Sequence, residues 1–149
     1  MPDQSEDSLR DRSFEPARKC FARELDALAE LFAFAAEFYA SNEVDAAKGN
    51  LADFVLEELF TNSVKYNAEG KGEIEVNLSR QRDYLEVSLT DLDSERFDPR
   101  EAAEVAIDAP LEERTPGGLG IHLLKKFAKR IDYDYIDRRS RVTIYLDLG

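Results

Sequence analysis

The apolar residues change their period once, near Tyr66, and that switch limits the folds open to this chain. Before it, Leu28, Leu31, Phe32, Ala35, Phe38 and Tyr39 recur at helical spacing and predict a helix that stops near Ser41-Asn42. A second helix is predicted from about Val44 or Ala46 to Tyr66, with Leu51, Phe54, Val55 and Leu59 as its stripe, ending before Asn67-Ala68-Glu69-Gly70. After the switch, Ile74, Val76 and Leu78 alternate with Glu73, Glu75, Asn77 and Ser79. Beyond Arg80-Gln81-Arg82-Asp83, Leu85, Val87 and Leu89 alternate with Glu86, Ser88 and Thr90. Period-two alternation of this kind predicts an antiparallel hairpin with one dry and one wet face. A third helix is expected from near Gly118, carrying Ile121, Leu124 and Phe127. Two closing strands follow, marked by Ile131, Tyr133 and Tyr135, then by Val142, Ile144 and Leu146. Strands that bury one face, with helices enough for one layer, predict a two-layer α/β sandwich: a mixed, mostly antiparallel sheet covered by helices on one face. Strict βαβ alternation is absent, which argues against a doubly wound sheet.

At 149 residues and 43% hydrophobic, the chain has enough apolar mass for one core without a covalent staple. Residues 1–13 are polar and charged and are expected to form a mobile tail, leaving 14–149 as a single domain. The net charge of −12 and the pI near 4.6 disfavour nucleic acid as a direct partner, since phosphate binding needs a basic stripe. They are compatible with a basic partner or with a nucleotide neutralised by metal. Cys20 is the only cysteine and His122 the only histidine, which rules out an internal disulfide, a cysteine cage or a multi-histidine metal site. No secretory signal is evident, and the longest apolar stretch, Leu31 to Ala40, is interrupted by Glu37 and too short to span a bilayer. A cytoplasmic location without membrane attachment is the expectation.

Three features carry chemistry. Glu58 and Asn62 are four residues apart on the second helix, so they share a face, and Lys65 and Tyr66 extend it. A carboxylate and an amide beside an apolar stripe are costly to bury without partners. Asp91 follows the strand carrying Leu85 to Leu89, where a carboxylate can accept a hydrogen bond from the exocyclic amine of adenine. The charged segment from Asp91 to Pro116, interrupted by Pro99 and Pro110 with a short helix expected at Glu101 to Ile107, is long for a connection. It leads into Gly117-Gly118-Leu119-Gly120, where glycines and a helix N-terminus suit close approach of backbone N–H groups to phosphate.

In order and spacing these features resemble the GHKL ATPases with their Bergerat ATP-binding fold, and within them the anti-sigma-factor serine/threonine kinases of bacterial partner-switching systems. Glu57-Glu58-Leu59-Phe60-Thr61-Asn62-Ser63-Val64-Lys65-Tyr66 looks like that family's N-box, and Gly117 to Leu124 like its second glycine box. The first glycine box departs from the pattern. In Asp91-Leu92-Asp93-Ser94-Glu95-Arg96-Phe97-Asp98-Pro99 the glycine is missing, the spacing is one residue longer, and Asp93 and Glu95 add negative charge. The resemblance implies ATP and Mg²⁺ as cofactors. It gives Asn62 as the Mg²⁺ ligand and Glu58 as the general base toward a serine hydroxyl. Asp91 would read adenine. Lys65 and Arg114 would neutralise phosphate charge, Gly118, Leu119 and Gly120 would close on the phosphates, and Thr143 would contact the nucleotide. It further implies a sigma factor and a STAS-type anti-anti-sigma protein as partners, and a homodimer. A non-catalytic or weakly catalytic partner-switch module of the same fold is the alternative, favoured by the altered first box. A DNA-related ATPase fits the acidic surface poorly. No histidine precedes the glycine box, which argues against a histidine autokinase, and His122 reads as an ordinary helix residue.

Overall fold

The computed structural model describes residues 14–66, 71–93 and 125–148. The polar tail, most of the long segment after Asp91, Arg114, Gly118, Leu119, Gly120 and His122 lie outside the described residues.

The first described element is a strand that period-two reading does not reveal, β1 (Ala17–Phe21). Only Phe21 is fully buried in it, so it carries no alternation to detect, and it exists through its ladder to the next strand. A single 3-10 turn, Leu25–Ala27, leads into α1 (Leu28–Ser41), whose Leu31, Ala35, Phe38 and Tyr39 face the core. The stop at Asn42 is well determined. Its side-chain amide donates to Phe38 O at 2.9 Å, Val44 N–H reaches back to Tyr39 O, and Glu43 takes a left-handed φ of 55°. This is a Schellman-type ending with a non-glycine residue at its left-handed position. The Arg80 guanidinium donates to the carbonyls of Asn42 and Glu43 and holds the turn against the sheet.

Asp45 then starts α2 (Ala46–Tyr66), its carboxylate accepting from Lys48 N–H at 2.9 Å as an N-cap. The buried face of α2 is Ala52, Val55, Leu56, Leu59 and Phe60, whereas Leu51 and Phe54 are only half-buried. The stripe is therefore rotated from the expected one. α2 packs on α1 as well as on the sheet, and Phe60 turns in to meet Phe21 of β1.

Four further strands follow: β2 (Ile74–Arg80), β3 (Tyr84–Asp91), β4 (Arg130–Ile136) and β5 (Arg139–Asp147). The sheet order is β1-β2-β3-β5-β4, and all four ladders are antiparallel, so no parallel pair occurs among the described strands. β4 and β5 are joined by Asp137-Arg138, both at positive φ (51° and 65°), as a tight two-residue hairpin of the favoured twist requires. Register aligns the dry residues in rows across the sheet, such as Leu78, Val87 and Ile144, or Val76, Leu89 and Val142, each 8% exposed or less. The helices cover this face, giving the two-layer α/β sandwich. Glu75, Asn77, Glu86, Ser88, Thr90, Arg141, Thr143 and Tyr145 occupy the opposite face by the same alternation.

Candidate functional site

One row of the sheet organises the site: Phe21 pairs with Ile74, Ile74 with Asp91, and Asp91 with Ser140. Parity puts all four on the helix-covered side. The row is tied to α2 through Phe60, whose ring meets that of Phe21 edge-on, with centroids 6.5 Å apart at 87°. Glu58 and Asn62 lie two residues to either side of Phe60 on α2, within one helical turn of it along the axis.

Asn62 is 4% exposed, and neither its Oδ1 nor its Nδ2 has a hydrogen-bond partner; Glu58 Oε2 is likewise buried and unpartnered. An amide can make four hydrogen bonds, and leaving a buried one with none costs about 1–3 kcal/mol. Two such side chains at i and i+4 are an uncompensated polar strip along the edge of an apolar helix face. Burial pushes the Glu58 carboxyl above its ordinary range, Glu57 adds to the rise, and Lys65 opposes it. A carboxylate shifted this way is a better proton acceptor at neutral pH. Lys65, in the last turn of α2, is exposed.

Asp91 is placed differently. Its side chain is 2% exposed and that of Arg23 is 6% exposed, and the two form a two-toothed ion pair. Arg23 Nη1 donates to Oδ2 at 2.8 Å, Nη2 donates to Oδ1, and Asp93 N–H donates to Oδ1 at 3.0 Å. Asp93, which stands in the departed glycine box, accepts from Lys71 N–H at 2.7 Å and from Arg138 Nε at 2.8 Å. The Lys71 N–H, followed by the Arg138 side chain, holds its carboxyl below the usual range.

Thr143 is not brought to this site. It lies on the opposite face of β5, with its Oγ1 3.3 Å from Ser88 Oγ. The β5 hydroxyl on the site's side is Ser140, 9% exposed and paired with Asp91. Sequence reading passed over Ser140 and Arg23, although the alternation of Val142, Ile144 and Leu146 already assigns Ser140 to the dry side. Among the described residues, no group of three or more His, Cys, Asp or Glu side chains could hold a metal ion. A cation here would take Asn62 as one oxygen ligand and complete its shell from phosphate and water, the habit of Mg²⁺. The orphaned Asn62 carbonyl fits that role.

Residues 21–146 match the model of the histidine kinase-like ATPase domain. The chain belongs to that family. ATP binding is what membership implies, and the helix-covered antiparallel sheet is the fold that goes with it. Among solved structures, one similar chain occurs in the SiaB–SiaC complex from Pseudomonas aeruginosa. It has a TM-score of 0.61 and 16% identity over 97% of this chain and 94% of that one. The histidine kinase AdeS of Acinetobacter baumannii is similar at a TM-score of 0.50 and 15% identity, over 98% of this chain and 75% of that one. At these identities the likeness is one of fold. No curated protein matches significantly. No described helix of this family member is long and apolar enough to cross a membrane.

Proposed function

We propose that this chain is an ATP- and Mg²⁺-dependent protein-serine kinase of a partner-switching system, which binds a sigma factor and phosphorylates a small STAS-type anti-anti-sigma protein. The observation that carries the reading is the pair of unsatisfied side chains, Glu58 and Asn62, one helical turn apart on α2. Stability alone gives no reason to keep them there. In this reading Asn62 is the protein's ligand to Mg²⁺, and the metal, when bound, neutralises phosphate charge. Glu58 Oε2 takes the proton of the attacking serine hydroxyl as that oxygen bonds to the γ-phosphorus and the bond to the ADP oxygen breaks. Lys65 adds positive charge. Arg114 and the backbone of Gly118, Leu119 and Gly120 meet the phosphates from the segment outside the described residues. Positioning and charge compensation, rather than covalent chemistry, do most of the catalysis in such transfers. That the similar solved chain comes from a two-protein complex supports a protein partner as substrate. A cytoplasmic homodimer is part of the same proposal.

The alternative, a partner-binding module with little or no catalysis, is favoured by one observation, the engagement of Asp91 by Arg23. The two are separated by the variant Glu58→Gln. A kinase loses phosphorylation of the STAS partner while retaining its Mg²⁺-dependent thermal stabilisation by ATP. That stabilisation reaches about 2.7 kcal/mol at a hundred times the dissociation constant. Undiminished transfer would remove Glu58 from the base role, and no stabilisation by any adenine nucleotide would sink the kinase reading.

A further inference from the structure

Arg23 leaves β1 on the side of the sheet that faces the helices, and its guanidinium is surrounded by acceptors. Nη1 and Nη2 grip the two oxygens of Asp91, Nε donates to Gly72 O at 3.1 Å, and Nη2 also reaches Asp93 O at 3.4 Å. A Cβ at Gly72 would come within 3.2 Å of the Leu92 carbonyl carbon and of Asp93 Cβ, so a larger residue would press on the turn that carries Asp93. The carboxylate that would read a nucleobase therefore already has three donors. Two come from a planar fork that matches it and one from the backbone, and the pair is more than nine-tenths buried.

We propose that Arg23 is a specificity-determining residue: it takes Asp91 away from base recognition, so that this chain holds a nucleoside triphosphate by its phosphates and metal with no selection for adenine. The inference rests on the reading of the Glu58 and Asn62 edge as a nucleotide site, and changes what the base end of that site does. A single amine hydrogen bond cannot displace a bidentate, charge-assisted pair from a buried carboxylate, because the guanidinium would be left without its partner. A base entering this end meets a carboxylate that is 2% exposed and already holds three donors, which leaves an exocyclic amine at most one lone pair of a buried group.

The test compares ATP with ITP, whose base lacks that amine, and with GTP, each titrated with Mg²⁺ into the full-length protein by calorimetry. The expected result is three dissociation constants within about threefold, with no detectable binding of adenosine. A free reading carboxylate would instead favour ATP over ITP by about tenfold or more, the worth of one hydrogen bond to a charged acceptor. That preference in the wild-type protein overturns the proposal and leaves the nucleotide reading standing. Absence of binding by all three triphosphates overturns both. The variant Arg23→Met, which keeps the stem and removes the donors, should gain the ATP preference that the wild type lacks. A folded Arg23→Met protein that still treats ATP and ITP alike also counts against the proposal, and the wild-type comparison decides it even where that variant does not fold.

Discussion

Replacing Asn62 by leucine should make the ligand-free protein more stable and the nucleotide site useless. Asn62 is 4% exposed, with both side-chain polar atoms unpartnered, and its helical neighbours Leu59 and Val55 belong to the core. A buried amide group without a hydrogen bond costs about 1–3 kcal/mol. Leucine removes that cost at similar length and adds apolar burial, while its branched tip takes back a part through imperfect fit. A net gain of about 2 kcal/mol is the balance. In a chain of this size it raises the melting temperature by about 6–8 °C, at about 3–4 °C per kcal/mol. The measurement is thermal unfolding in EDTA without nucleotide, repeated with saturating ATP and Mg²⁺. The variant should start higher and shift little, whereas the wild type should start lower and rise with ligand. Should Asn62→Leu melt at or below the wild-type temperature in EDTA, the amide is making hydrogen bonds after all, and the argument from unsatisfied groups collapses.

Arg23→Met should cost about 3–5 kcal/mol in urea unfolding by stranding the buried Asp91 carboxylate, and the double variant Arg23→Met/Asp91→Met should recover most of it; equal losses in the two would show that the strand geometry, not the charge, is at stake. Glu58→Gln should stabilise the protein slightly at pH 8 and by almost nothing near pH 4. The sign follows from the raised carboxyl. Its contribution to stability is complete below the ordinary glutamate range and is lost as pH rises through the folded-state value, so the wild type falls behind the variant as pH climbs. Urea midpoints across that range would expose a wrong sign as a constant or inverted gap. Thr143→Val should leave triphosphate affinity unchanged and cost less than about 1 kcal/mol, since its hydroxyl meets only Ser88 on the far face; a several-fold loss of affinity would place the nucleotide on the wrong side of the sheet.

The layered fold was legible because the strands bury one face cleanly. Ile74, Val76 and Leu78 follow period two, and so do Val142, Ile144 and Leu146, whereas the central β3 is buried at every residue from Val87 to Asp91. What escaped was structure whose cause is not local. β1 has one fully buried residue and owes its existence to β2, so nothing within Ala17–Phe21 announces a strand. The buried face of α2 depends on two neighbours, and its own periodicity could not say how far Leu56 and Phe60 would turn inward. Glu58 and Asn62 were readable as a pair because helical spacing alone places them together, but their lack of partners is a property of packing. The assignment of Thr143 is another kind of miss, since parity with Val142 and Ile144 was in plain view and excluded it from the dry side.

The pairing of Arg23 with Asp91 spans 68 residues, and no local pattern could suggest it. It also gives the altered glycine box a physical meaning. Asp93, where a glycine was expected, lends its N–H to Asp91, its carbonyl to Arg23, and its carboxylate to Lys71 N–H and Arg138. An extra acid that looked like a source of repulsion toward phosphate is thus the hub of a self-satisfied turn, with its charge met by Arg138. The two ends of the site consequently differ in what a ligand can offer them. At the Asp91 end, Arg23, Asp91 and Asp93 are already engaged with one another. At the Glu58 and Asn62 end three polar atoms have no partner, which in the proposed function a metal and phosphate oxygens would supply. Binding free energy comes from the difference between bound and free states. If the proposed site is correct, that difference lies at the phosphate end, and affinity should follow the number of phosphates far more closely than the identity of the base.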